Sequence, residues 1–67
     1  MAKITLEAAR VNKGLTQEEL ARKMGVSRQT VMAWENGDRP IKPAYLYMFC
    51  GIVGMSENDI LLPINIT

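Results

Sequence analysis

Two capping signatures separated by a turn glycine, spread over Thr16 to Gly37 (TQEELARKMGVSRQTVMAWENG), constrain this chain more than any other stretch. Thr16 can accept a hydrogen bond at a helix start while Glu19, three residues on, reaches back to the Thr16 amide, which is a full capping box. The helix that begins there runs through Leu20, Ala21 and Met24. Gly25 then supplies the positive φ that a sharp exit needs. Ser27 caps a second helix, Arg28 to Asn36 contains neither Gly nor Pro, and Asn36-Gly37 stops the run.

Spacing makes the signal specific. Ala21 falls four residues before Gly25, where two helices cross closely and only a small side chain lets them touch, and Leu20, Met24, Val26, Val31 and Trp34 form an apolar seam. Box, small residue, turn glycine, second cap and seam in register predict a helix-turn-helix unit; the competing reading is an ordinary helical hairpin in a small bundle.

The chain resembles the lambda-repressor-like, or Cro/CI-type, helix-turn-helix family, also called the xenobiotic-response-element family. Arg10, Gly14-Leu15-Thr16-Gln17, Glu19-Leu20-Ala21, Gly25-Val26-Ser27 and Glu35-Asn36-Gly37 carry the resemblance, which extends from about Leu6 to Leu61. Small phage and mobile-element regulators of Gram-positive bacteria look most like it. The motif is specific for the fold and much less so for the DNA sequence or the biological role.

Sixty-seven residues suffice for one small core, and a domain of that size is marginally stable alone. The expectation is a single all-α domain over residues 1–67 with five helices and room for a short terminal strand. The first helix should run from Leu6 to Lys13 behind a Thr5 cap, with Leu6, Ala9 and Val11 inward. The second and third are the motif. A fourth starts at Pro43 and ends at Gly54, and Ser56 with Asp59 suggests a short fifth from Glu57 to Leu61. No apolar run approaches the ~20 residues of a membrane span, and Met1-Ala2-Lys3-Ile4 does not lead into a signal-peptide core, so a cytoplasmic location is expected. Cys50, alone, reads as packing rather than as a redox sensor.

A net charge of +1 looks small for a DNA binder until its distribution is read. All eight Lys and Arg lie within the first 42 positions, and with the five acids there they leave +3, whereas Glu57 and Asp59 give the last 25 residues −2. The basic portion coincides with the motif, and a modest basic face suffices for a module docking as a dimer.

In the fold that the resemblance implies, the amino-terminal half of the third helix enters the major groove, making Arg28, Gln29, Met32 and Ala33 the candidate base-reading residues. Arg28 can fork onto guanine O6 and N7, and Gln29 onto adenine N6 and N7; Met32 and Ala33 offer apolar contact to a thymine methyl group. A phosphate contact is the alternative role for Arg28. By family correspondence, Arg28, Gln29 and Ala33 match base-reading positions of phage repressors. Thr16 and Gln17, at the positive end of the second helix, should face a phosphate, with Asn36, the Gly37 amide, Arg39 and Lys42 holding the other strand. Lys13 and Lys23 can simply be solvated. The resemblance also implies that Arg10 and Glu35 form a partly buried ion pair, a structural role. Trp34 shares a face with Val31 and Leu20 and is assigned to the core rather than to base stacking.

The fourth helix is apolar nearly all round. With Leu46, Phe49, Cys50 and Val53 inward, Tyr45, Tyr47, Met48 and Ile52 remain partly outside, and the uncharged tail Ile60, Leu61, Leu62, Ile64 and Ile66 follows. Surplus apolar surface of this kind suggests a homodimer interface in the tail, about residues 60–67, together with the fourth helix. The tail can instead, or also, fold back on Lys3-Ile4-Thr5 as a strand pair. An enzyme is disfavoured: there is no histidine, Ser27 and Ser56 serve as caps, and no metal cluster or phosphate-binding glycine loop is present. No cofactor, membrane or small-molecule partner is indicated. The expected function is a sequence-specific regulator of double-stranded DNA, a phage or mobile-element repressor on a palindromic operator, with a protein-interaction module of antitoxin or antirepressor type as the rival.

Overall fold

A computed structural model describes residues 3–63, so Ile64 and Ile66, two of the residues expected at a dimer interface, lie outside the described residues. In chain order the elements are β1 (Ile4–Thr5), α1 (Leu6–Asn12), α2 (Gln17–Met24), α3 (Arg28–Asn36), α4 (Pro43–Val53), a single 3-10 turn (Glu57–Asp59) and β2 (Ile60–Leu61).

Each start and stop has a local cause. Thr5 Oγ1 accepts from the Ala8 amide at 3.0 Å and Ser27 Oγ from the Thr30 amide at 3.1 Å, so each of two short helices begins with one of its first-turn amides satisfied by a side chain. At α2 the capping box is complete: the Glu19 amide donates to Thr16 Oγ1 at 3.0 Å and the Thr16 amide to Glu19 Oε1 at 2.8 Å. Gly25, at φ 71°, closes α2 with the Val26 amide donating back to the Ala21 carbonyl at 3.0 Å, a bend that any side chain with a Cβ would strain.

Glu19 gives the first prediction. The Thr16 backbone amide, and next its hydroxyl, hold the Glu19 carboxyl below the ordinary glutamate value of 4.5. A carboxyl depressed in the folded state stabilises the fold above its unfolded value, and that contribution disappears as the pH falls through the lowered one. In urea titrations repeated across the acid range, Glu19→Gln should keep the cap and lose its share of the acid sensitivity. An acid limb identical to wild type would show that Glu19 is not titrating against Thr16.

The helices enclose one core, in which Phe49, Leu20 and Val31 are the largest fully buried side chains and Leu6, Ala9, Ala21, Met24, Trp34, Cys50, Val53 and Ile60 complete the set. Ala21 is buried in this core, and α2 and α3 pack against each other. Cys50 packs here too, and burial, then Glu57 and Asp59, pushes its thiol up, which keeps it protonated and inert. Among the described residues, no helix is long and apolar enough to cross a membrane.

Two expectations are corrected. Only four α-helices form among the described residues, because the expected fifth, Glu57 to Leu61, is one 3-10 turn followed by a strand. Ser56 Oγ accepts from the Asn58 amide, and the Asp59 amide bonds the Ser56 carbonyl at 2.9 Å, closing a three-residue turn rather than opening an α-helix. β-branched Ile60 then takes extended dihedrals, and Pro63 further on disfavours helical backbone at Leu62. Ile60 and Leu61 pair in parallel with Ile4 and Thr5, so the chain folds back on its amino-terminal segment and joins the two ends of the domain. The second correction is Val11, which is 57% exposed. At 100° per residue it lies well away from Leu6 and Ala9, and the inward position next to it belongs to the buried Arg10.

Candidate nucleic-acid interface

The floor of the site is α3. Val31 and Trp34 lock one face of this helix into the core, which turns Arg28 and Gln29 to the surface, both exposed, with Met32 and Ala33 half-buried beside them. At the start of an exposed helix, a guanidinium can donate two N–H groups to a base edge, and a carboxamide can donate through its N–H and accept at its carbonyl on another. The helix carries no acid in its first turn, so nothing on α3 there opposes a polyanion.

The first turn of α2 faces that start. Arg28, Thr16 and Gln17 line one open cleft with Arg10, Glu7 and Glu18. The capping box uses the Thr16 and Glu19 amides, leaving the Gln17 and Glu18 amides at the positive end of α2 without an intrahelical acceptor. The two carboxylates in the same cleft oppose an anion, so attraction there depends on Arg28 and on those amides. Thr16 is exposed, but its hydroxyl is already the cap acceptor.

Gln17 occupies a different position from the surface one its expected phosphate role suggests. It is half-buried, and its Nε2 donates to Glu35 Oε1 at 2.9 Å; a carboxamide has a second N–H, so one donor is committed within the fold. Glu35 is the centre of a network. Arg10 Nε donates to Glu35 Oε2 at 2.7 Å and Nη2 to Oε1 at 3.3 Å, while Arg10 Nη1 bonds the Leu15 carbonyl at 2.9 Å. The two side chains are only 10% and 4% exposed. Arg10 Nη2 also approaches Glu7 Oε2 at 4.0 Å. This bidentate pair ties α1, the α1–α2 loop and the start of α2 to the last turn of α3.

The far end of α3 carries the remaining candidates. Asn36, Arg39 and Lys42 are exposed, and Gly37 closes the helix at φ 81°. Arg39 is held: its Nη1 donates to Thr30 Oγ1 at 3.4 Å, and Thr30 shares a 2.9 Å hydrogen bond with Ser27 Oγ. Sequence reasoning assigned Thr30 no definite part, because the contact depends on how the 38–42 loop returns along α3, and nothing local encodes that. Of the tail residues, Ile60 is a core residue at 4% exposure and is not available to a partner; Leu61 is exposed and Leu62 half-buried.

A small helical domain whose capped second helix leads through a left-handed glycine into an exposed, cation-bearing third helix is a helix-turn-helix DNA-binding domain. The sequence profile described as helix-turn-helix matches residues 6–60. The chain belongs to the lambda-repressor-like, Cro/CI-type helix-turn-helix family of DNA-binding transcription regulators. It is 40% identical over 48 residues to an uncharacterized HTH-type transcriptional regulator of Methanocaldococcus jannaschii, spanning 72% of this chain and 73% of that protein. It is also similar to the crystal structure of the hypothetical transcription factor NHTF from Neisseria, with a TM-score of 0.76, 36% identity and 87% of this chain covered. The chain spans 65% of the length of that structure.

Proposed function

We propose that this protein is a cytoplasmic repressor, of the kind carried by phages and mobile elements, that binds a palindromic operator as a homodimer and blocks transcription by occupancy. The observation that carries this reading is the exposed pair Arg28 and Gln29 at the start of an α3 whose opposite face is fixed in the core. Arg28 reads guanine and Gln29 adenine, with Met32 and Ala33 against thymine methyl groups. Thr16, the free amides of α2, Asn36, Arg39 and Lys42 position the backbone, and Gln17 joins them through the N–H that Glu35 leaves free; the Gly37 amide, which donates to the Trp34 carbonyl at 3.4 Å, drops out of the expected set. Arg10 and Glu35 set the tilt of α3 against α1 and touch no DNA.

Dimerisation is supported by apolar surface with no charge from Pro43 to Ser56, including exposed Tyr47 and Met48, and by exposed Leu61. A twofold axis there puts two copies of α3 about 34 to 36 Å apart, one turn of duplex.

Selection of bound duplexes from a random DNA pool tests the reading, with Arg28→Ala and Gln29→Ala proteins run in parallel. The wild type should enrich a palindrome, and each variant should relax different positions in each half, with a loss of ~1 to 3 kcal/mol of discrimination per position. Enrichment of a single non-repeated site would remove the dimer. Salt-sensitive binding with no enriched sequence would remove base readout altogether.

A further inference from the structure

We propose that the groove between the start of α3 and the 38–42 loop is a docking site for an acidic peptide segment, anchored by apolar side chains, from another protein. The groove has a volume of about 620 Å³, within the range of clefts that hold ligands. Val26, Trp34, Ile41 and Tyr45 give it an apolar lining, which Arg39 and Lys42 share and in which no carboxylate is present. Thr30 fixes Arg39 there through the 3.4 Å hydrogen bond to its hydroxyl.

Charge complementarity selects the occupant. Two cations in an apolar lining suit carboxylates interleaved with Leu or Phe, the pattern of an amphipathic acidic segment. A second copy across a twofold axis would bring the cations of two grooves together, which is repulsive. A DNA strand would neutralise Arg39 and Lys42 but offers little to fill the space over Ile41 and Tyr45. Because Arg39 and Lys42 are also assigned to the operator backbone, a segment seated here would displace DNA; that consequence alone rests on the DNA-binding reading above.

The probe is a displayed library of random linear peptides selected on the full chain, and the readout is emission from Trp34, the single tryptophan of the sequence. Enriched peptides should combine Asp or Glu with Leu or Phe, and synthetic copies should shift Trp34 emission saturably. Ile41→Glu should weaken them by more than about tenfold, since it places a carboxylate against theirs. Pro40→Glu, at an exposed loop position lining the same groove, gives the same test should Ile41→Glu not fold. Arg28→Ala should bind the peptides as wild type does, which separates this result from any failure of base readout. Enrichment of peptides without acidic residues, equal binding to both groove variants, or a Trp34 shift produced by raising protein concentration alone would overturn the proposal. Peptides that bind the groove yet coexist with a bound operator would leave the docking site standing and remove the Arg39 and Lys42 phosphate contacts.

Discussion

Glu35→Ala is expected to destabilise the domain by ~3 to 5 kcal/mol, the usual cost of leaving one member of a buried ion pair without its partner. The Arg10 guanidinium sits at 8% residue exposure, and Glu35 accepts two of its N–H groups and one from Gln17. Removing the carboxylate leaves a buried cation facing the Gln17 amide. A domain of this size has little stability in reserve, and each 1 kcal/mol moves the midpoint by ~4 to 8 °C, so Glu35→Ala should be largely unfolded well below the wild-type transition. Thermal melts followed by far-UV circular dichroism measure this. The double variant Arg10→Met/Glu35→Leu should recover most of the loss, because two apolar side chains of similar volume remove both charges together. If it recovers stability while operator discrimination falls, the pair's contribution is the orientation of α3 rather than stability. A loss for Glu35→Ala below ~1 kcal/mol would place the pair in solvent-like surroundings, against the observed burial.

That network also marks how far the sequence could be read. The caps at Thr5, Thr16 and Ser27 and the stops at Gly25, Gly37 and Gly54 were legible because each is a signal between residues three or four apart, satisfied by the chain's own backbone. The Gln17–Glu35 hydrogen bond joins residues 18 apart and has no local signature; the pairing of Ile4 with Ile60, which joins the two ends of the domain, is offered by the sequence as one of two fates of the apolar tail, without its register. The turn at Glu57–Asp59 misleads for a related reason. Ser56 and Asp59 present a capping pattern that is valid locally, but the pairing of Ile60–Leu61 with β1 captures the following residues before a second helical turn can form. Met32 and Ala33 are placed on the outward face by the fold that the resemblance implies, and neighbouring packing leaves them half-buried. The groove beside Arg39 depends on the path of a loop containing Pro40, which periodicity does not describe.

Trp34→Ala should cost ~3 to 5 kcal/mol and remove the cooperative thermal transition near physiological temperature. Trp34 is 4% exposed, on the buried side of α3, and the centre of its ring lies 5.4 Å from that of Tyr45 at a tilt of 43°, so one side chain joins α3 to α4. Tilted aromatic pairs at this separation contribute ~0.5 to 1.5 kcal/mol beyond the area they bury, and truncation loses that as well as leaving a cavity. Trp34→Phe keeps a ring against Tyr45 and should retain a cooperative melt at a lowered midpoint. The pair of variants distinguishes a core residue from one that stacks on a base: Trp34→Phe, measured below its melting temperature, should bind the selected operator with wild-type affinity, because a buried ring presents no face to DNA. A Trp34→Ala protein that melts like wild type but no longer binds the operator would reverse that assignment and would mean that α3 is held in place without its largest side chain.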